Sequence, residues 1–405
     1  MKKQIILILF SVCVVFVPKV AKSQWNCPSL LGEYTQPIGQ SNFKAGLEII
    51  GSAGLLDDNY YGFVSTFGAL SYKINHHTFY VEGGFKGWKR YDESEDKTFG
   101  NNHAGFREAY YQYMNKQLSL RVGIQTMTMG DYYLVNDRAL GFNLGWSFSN
   151  FKLQVASGSV MKQFSRNGLF CNVGYVYDIL ERDRGLMGNG FGQMNFASTT
   201  LTYNNKNITT GLRSVGLALY DEFGSRQEIK DTNVVMGGVY GLISLPFGIN
   251  LMPEVLYQNA KNNNALLYSI GLRKIFMFEN NTRLDCQARA IATTAIDDKA
   301  MIRNSFSNLF LGDVIRLEAK DEPLIQASTR YSIPRYSLHF KLQYTSQLKD
   351  YDEALSEVDL SCGKRINNLQ LSLIGGYIKS QQLENKDCYL LRLEARLYLY
   401  PPKTR

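Results

Sequence analysis

Proline is scarce here, nine residues in a chain of 405. Proline breaks strand ladders and helix interiors alike, so long regular elements can run without interruption. Long apolar runs are also missing beyond residue 23, and mean hydropathy is −0.21. That excludes a helical membrane protein, whose spans need about 20 apolar residues each. Only six cysteines occur, widely spaced and without a C-x-x-C pair. Disulfide scaffolds and zinc modules look different. No basic block with interleaved aromatics is present, which excludes a nucleic-acid partner. Catalytic signatures are absent too: no G-x-S-x-G, H-E-x-x-H, Walker loop or dinucleotide fingerprint. The four histidines, His76, His77, His103 and His339, have no serine or carboxylate at motif spacing. The acidic run Asp92, Glu93, Glu95, Asp96 departs from the calcium-loop pattern and reads as a solvated loop. The chain is therefore not expected to be an enzyme, nor to hold a cofactor or metal.

What is present begins with a leader. Lys2 and Lys3 precede an apolar core over 5–17, and Ala21-Lys22-Ser23 has the small-x-small form of a cleavage site. Residues 1–23 read as a secretory signal peptide. Its removal takes four lysines and no acids, so the formal charge of +8 falls to +4. Residues 24–41, with Trp25, Cys27, Pro28 and Pro37, have no clear period and read as a periplasmic N-terminal segment.

From residue 42 to 400 a period of two recurs almost without pause. Aromatics make up 13% of the chain, including 26 tyrosines, which suits extended strands. In 105–131, Leu118, Leu120, Val122 and Ile124 alternate with Ser119, Arg121, Gly123 and Gln125. Just before them, Ala109, Tyr111 and Tyr113 alternate with Glu108, Tyr110 and Gln112, so the stretch is a hairpin with one apolar and one polar face. Similar runs fall near 42–55, 60–74, 78–91, 208–220, 265–277, 282–293, 336–347 and 387–400, among others. Many reach ten residues or more, the length of a tilted membrane strand rather than of the usual soluble one. Tight connections alternate with longer polar ones such as 92–104, 128–138, 221–231 and 295–321, as short turns at one membrane face and loops at the other require. With 161–189 placed in an external loop, the expected fold is all-β: a closed antiparallel transmembrane β-barrel of about 18 strands over 42–400. Counts of 16 or 20 follow if 169–180 also spans. Residues 401–405 form a tail.

The apolar face of such a barrel meets lipid and the polar face meets the lumen. On 282–290, Leu284, Cys286 and Ala288 alternate with Arg283, Asp285, Gln287 and Arg289; on the last strand, Leu391, Leu393 and Leu397 alternate with Arg392, Glu394 and Arg396. Glu82, Glu108, Arg121, Gln125 and Lys341 take the same polar parity elsewhere. Facing rows of arginine and carboxylate set a transverse field that selects small polar or anionic solutes, or pair to fill the interior.

The stretch Arg107-Glu108-Ala109-Tyr110, then Val122-Gly123-Ile124-Gln125 and Gly130-Asp131, with Asp137-Arg138 beyond, resembles the outer-membrane porins. It is similar in particular to alginate-export-like and phosphate-selective-porin-like channels. The resemblance implies a bacterial outer-membrane channel for small solutes or an acidic saccharide, with Arg121, Gln125 and Arg138 lining the pore. Membrane lipid, lipopolysaccharide and small solutes are the expected partners. Further copies of the chain (a homo-oligomer) or envelope-complex subunits are also candidate partners, and the alternative function is a non-conducting barrel inside a secretion, assembly or uptake complex.

Overall fold

The computed structural model describes residues 36–37, 42–56, 59–92, 96–129, 135–161, 191–221, 234–260, 264–296, 323–347, 356–379 and 387–399. The leader, most of 24–41, the 169–180 segment and the tail lie outside the described residues. A two-residue strand, β1 (Gln36–Pro37), precedes eighteen long ones. They are β2 (Phe43–Leu56), β3 (Asn59–Ile74), β4 (His77–Asp92), β5 (Lys97–Met114), β6 (Leu118–Met129) and β7 (Val135–Phe148), then β8 (Phe151–Met161), β9 (Phe191–Asn204), β10 (Ile208–Asp221), β11 (Val234–Ser244), β12 (Ile249–Ala260) and β13 (Ala265–Met277). The last are β14 (Arg283–Ala295), β15 (Leu324–Ile333), β16 (Leu338–Gln347), β17 (Ser356–Ile366), β18 (Leu369–Lys379) and β19 (Asp387–Leu399).

Each strand from β2 to β19 pairs antiparallel with the next, and β19 pairs back onto β2 from Leu399↔Leu47 to Leu390↔Leu56. The sheet is closed, an 18-stranded barrel without a free edge at the seam. Beyond Leu47 the ladder of β2 outruns β19, and β1 takes up that edge through Gln36↔Ala45 and Pro37↔Lys44.

Alternation decides which way each residue points. On β13, Tyr268, Ile270 and Leu272 are exposed while Leu267, Ser269 and Gly271 between them are buried. On β19, Leu391 and Leu393 face out while Arg392 and Glu394 are buried. The outer wall is thus apolar, and in water it would expose far more hydrophobic area than a soluble protein tolerates. On β4, Phe79 and Tyr91 both face outward. At about 3.3 Å per residue and a tilt of about 45°, they stand about 28 Å apart along the barrel axis, the height of a hydrocarbon layer. Aromatics gather at the level of the tight turns: Trp146, Phe148, Phe151 and Tyr203 follow one another at ring spacings of 4.9, 5.6 and 5.2 Å. Such a girdle marks a membrane interface.

Most tight turns lie at one end of the barrel; β2 and β3 are joined closely at the other, where their ladder reaches Leu56↔Asn59. Left-handed residues close several of them, Asn75, Ser149, Phe247, Asn280, Ser337 and Asn367 among them. In the β5–β6 turn, Asn115 Oδ1 accepts the amides of Gln117 (2.8 Å) and Leu118 (2.7 Å), a local side-chain substitute for a ladder bond.

Two connections are shorter than the sequence suggests. The 92–104 loop is mostly strand, because β5 begins at Lys97 and pairs with β4 as far as Asp92↔Lys97. His103 therefore belongs to a strand rather than an external loop. In 128–138 the strands reach Met129 and resume at Val135, so Arg138 is also on a strand. Polar composition concealed both extensions: above the membrane a strand has no lipid-facing side to make apolar. His77 opens β4, with its Nδ1 2.8 Å from the Tyr111 hydroxyl.

Candidate functional site

The inner wall of β19, β2, β4 and β5 carries a chain of opposite charges. Glu394 Oε1 accepts Arg396 Nε at 2.6 Å, and Arg396 Nη1 lies 3.5 Å from Glu48 Oε1. Glu48 Oε2 accepts Arg107 Nη1 at 3.2 Å, and Arg107 Nε is 3.1 Å from Glu82 Oε1. Tyr80 donates to Glu82 Oε2 at 2.6 Å. The Arg107 guanidinium also lies over the Phe67 ring at 4.1 Å. Glu48 and Glu82 are fully covered and Arg107 is 3% exposed. Buried carboxylates persist only with paired, hydrogen-bonded cations, and here two arginines on β5 and β19 meet at one glutamate on β2 and link four strands.

Sequence reasoning missed Arg107. Strict alternation on β5 sends it outward beside Ala109, but the ladder slips here: Glu82 pairs with Glu108 while Gly83 pairs with Phe106. Arg107 is the extra residue of a β-bulge, so it and Glu108 both turn inward. The available signal was a charge at a position that the period assigns to lipid.

Above the bulge the wall divides. Pairing between β5 and β6 ends at Ala109↔Ile124; beyond it β5 pairs only with β4, and β6 only with β7. The Thr126 amide, which would otherwise continue the ladder, donates to Glu108 Oε1 at 3.2 Å, and the Thr126 hydroxyl donates to the same oxygen at 2.8 Å. Gly123 sits at the departure point with φ +129°, where a Cβ would come within 2.2 Å of the Ala109 carbonyl oxygen. Gln125, Met127 and Ala139 on one face of the β6–β7 pair are buried, and so is Arg138 on the other. A wall segment buries one face only. Covered on both and bonded to the inward Glu108, this hairpin end leans over the lumen.

Glu82, Arg392, Glu394 and Arg396 join the first wall. Glu108 and Gln125 join the hairpin, where Gln125 donates to the Arg121 and Gly141 carbonyls at 3.2 Å each. Arg121 faces inward, donating twice to Gln112 Oε1 (2.9 and 2.6 Å) with its guanidinium over Tyr110. Arg138 differs from the rest: its register partner is Thr126, so it has the parity of the outward Leu140, yet it is 1% exposed and within electrostatic reach of Glu108. It reaches the interior through the lean of the hairpin, not through alternation.

Arg283, Asp285 and Arg289 lie across the barrel on β14, and Lys341 between the two walls on β16, all facing in. Asp285 is 3.8 Å from Arg273, and Arg289 donates to the Ser269 hydroxyl at 3.3 Å. Arg213 adds a pair with Glu254 at 2.5 Å and stacks on Tyr240. Cys362 is a free thiol. Among the described residues, no three His, Cys, Asp or Glu side chains form a metal-holding group.

No family model matches the chain, and no curated protein matches it in sequence. Solved structures do. OccK7 (OpdD) of Pseudomonas aeruginosa superposes with a TM-score of 0.57 at 13% identity, covering 88% of this chain and 99% of that one. OccK5 (OpdH) of the same organism gives 0.56 at 12% identity over 90% and 99%. The outer membrane protein OprD, also from Pseudomonas aeruginosa, gives 0.56 at 11% over 90% and 97%. The fold is that of the OprD and Occ barrels. At such identity the likeness extends to the OprD-like architecture alone and assigns no solute. The alginate-export and phosphate-selective likeness rests on the short stretch around Arg107 and Gln125.

Proposed function

We propose that the chain is a bacterial outer-membrane channel that passes small polar or anionic solutes passively through its charged interior. The observation that carries this reading is the arrangement inside the barrel. Arginines paired with carboxylates line two opposing walls, and a hairpin end held by Glu108 leans between them. Eighteen strands enclose more width than wall side chains alone fill. Charge rows facing across such a space act on a passing anion in a narrowed, low-dielectric region. Arg121, Arg273, Arg283 and Arg289 are half-buried cations and ones a solute would meet.

Stable ion steps in a planar bilayer from purified protein test the proposal; a silent barrel sinks it. Replacing Arg283 and Arg289 with glutamate is expected to move the reversal potential in a salt gradient toward cation selectivity. An unchanged potential removes both from the path. A narrower version, selectivity for phosphate-like anions or acidic saccharides, predicts that these solutes block the current at lower concentration than neutral sugars do.

The near-complete burial of Gln258, Thr345, Glu357 and Asp359 favours a second reading, a filled barrel serving a larger envelope complex. Co-purification with fixed partners and no conductance would establish it. We read residues 1–23 as the leader, 24–41 as periplasmic and 401–405 as a tail; a mature protein starting elsewhere than Gln24 refutes the first of these assignments.

A further inference from the structure

The outward face carries few charges, and their positions are informative. Among the described residues four lysines have outward parity: Lys89 on β4 and Lys379 on β18 at the loop end, Lys274 on β13 and Lys364 on β17 at the turn end. Lys274 stands between Ile249 and Cys286 on the neighbouring strands, with its ammonium 3.8 Å from the Phe276 ring centre. Lys364 stands between Leu338 and Leu371. Arg335, in the turn between β15 and β16, lies over Tyr336. Among the described residues none of the three pairs with a carboxylate; the acid nearest Lys274 in sequence is the exposed turn residue Glu279, whose turn adjoins that of Arg335, and the acid nearest Lys364 is the buried, inward Asp359. Exposed aromatics stand at turns in this half of the rim: Phe247 is 86% exposed and Phe278 and Tyr336 about half exposed, beside the polar turn residues Glu279, Asn280, Asn281, Asn367 and Asn368. On the other half the turns are Asn75-His76, Asn115-Lys116-Gln117, Ser149-Asn150 and Asn205-Lys206-Asn207; Lys116 and Lys206 are exposed in the turns themselves, and no outward strand position near them carries a lysine or arginine among the described residues.

Lysines set in an apolar outer wall are tolerated where their stems can run to the headgroup layer. That layer holds phosphate, and the exposed aromatics of these turns continue the lipid-facing girdle down to it. We infer that the turn-end rim over β13–β17 is a docking surface for the headgroups of anionic phospholipids in the inner leaflet. Lys274, Arg335 and Lys364 supply the charge, and Phe278 and Tyr336 seat at the boundary. Lys274 and Lys364 are four strands apart, about 19 Å around the wall, room for more than one headgroup. The inference rests on the outer-membrane reading, with the turn end toward the periplasm.

The test is native mass spectrometry of the full barrel titrated with phosphatidylglycerol or phosphatidylethanolamine. The wild type is expected to bind phosphatidylglycerol more tightly. Each of Lys274→Gln, Arg335→Gln and Lys364→Gln should weaken that binding about fivefold, leaving phosphatidylethanolamine unaffected. Lys274→Arg with Lys364→Arg should retain the preference, which separates lost charge from lost folding. Equal affinity for the two lipids overturns the inference, as does a preference that survives all three substitutions. Loss of the preference in Lys89→Gln with Lys379→Gln also overturns it, by placing the anion at the loop end where lipopolysaccharide lies. A silent barrel that keeps the preference removes the channel and leaves this surface standing; a conducting barrel without the preference does the reverse.

Discussion

Arg107 shows how much one side chain decides inside the barrel. It separates Glu48 from Glu82, and both carboxylates are sealed from water. Removing it leaves two like charges buried close together with part of their pairing gone. Arg107→Leu is therefore expected to destabilise the barrel by about 3–5 kcal/mol, the range for breaking a buried pair from one side. Glu82→Gln keeps an acceptor for Tyr80 and Arg107, so its cost should be about 1–3 kcal/mol. Denaturant unfolding in detergent followed by tryptophan fluorescence measures both. A leucine variant as stable as the wild type would mean that the network is spatial coincidence. The same residue marks the limit of pattern reading: a bulge is one extra residue on one strand, and its position depends on the partner strand.

At the scale of elements, β5 and β6 are joined along only part of their length. Six residue pairs connect them, from Ala109↔Ile124 to Met114↔Ser119, whereas β6 and β7 share twelve. Glu108 spans the gap by accepting the Thr126 amide in place of a strand carbonyl. Glu108→Ala should free that amide, and hydrogen exchange in peptides covering 120–129 should accelerate while β3 stays protected. Uniform protection in the variant would show that the hairpin is held by something other than this carboxylate. All eighteen long strands are legible in the sequence, because their ladders are local and their alternation holds over most of each strand, the bulge at Arg107 aside. The parting of β5 from β6 is not, because Val122 to Gln125 alternates just as a fully paired strand does. Only the left-handed Gly123, set against the Ala109 carbonyl, marks it.

For the whole molecule the bilayer is half of the solvent. Val64 is exposed near the middle of β3, at the depth where hydrocarbon surrounds the wall. Val64→Arg should cost about 2–4 kcal/mol in lipid vesicles, and the same change at a rim position should cost about 0–1 kcal/mol. Equal costs at both depths would contradict the assignment of the outer wall to lipid. The lysines obey the same rule, appearing outward only towards the ends of the strands among the described residues.

Period, strand length and turn residues, all local properties, were enough to settle that the chain is a closed barrel of about 18 strands, which face of each strand is polar, and where the tight turns fall. Glu82, Glu108, Arg121, Gln125, Arg283, Asp285, Arg289, Lys341, Arg392, Glu394 and Arg396 follow from that alternation alone. Arg138 and Arg107 do not. Their places depend on a slipped ladder and a hairpin that leaves the wall, and each arises from contacts between residues tens of positions apart, such as Arg107 with Glu48. Alternation records only whether a residue points in or out. Which charges meet inside was decided by barrel closure, which sets the register of every strand against its neighbours.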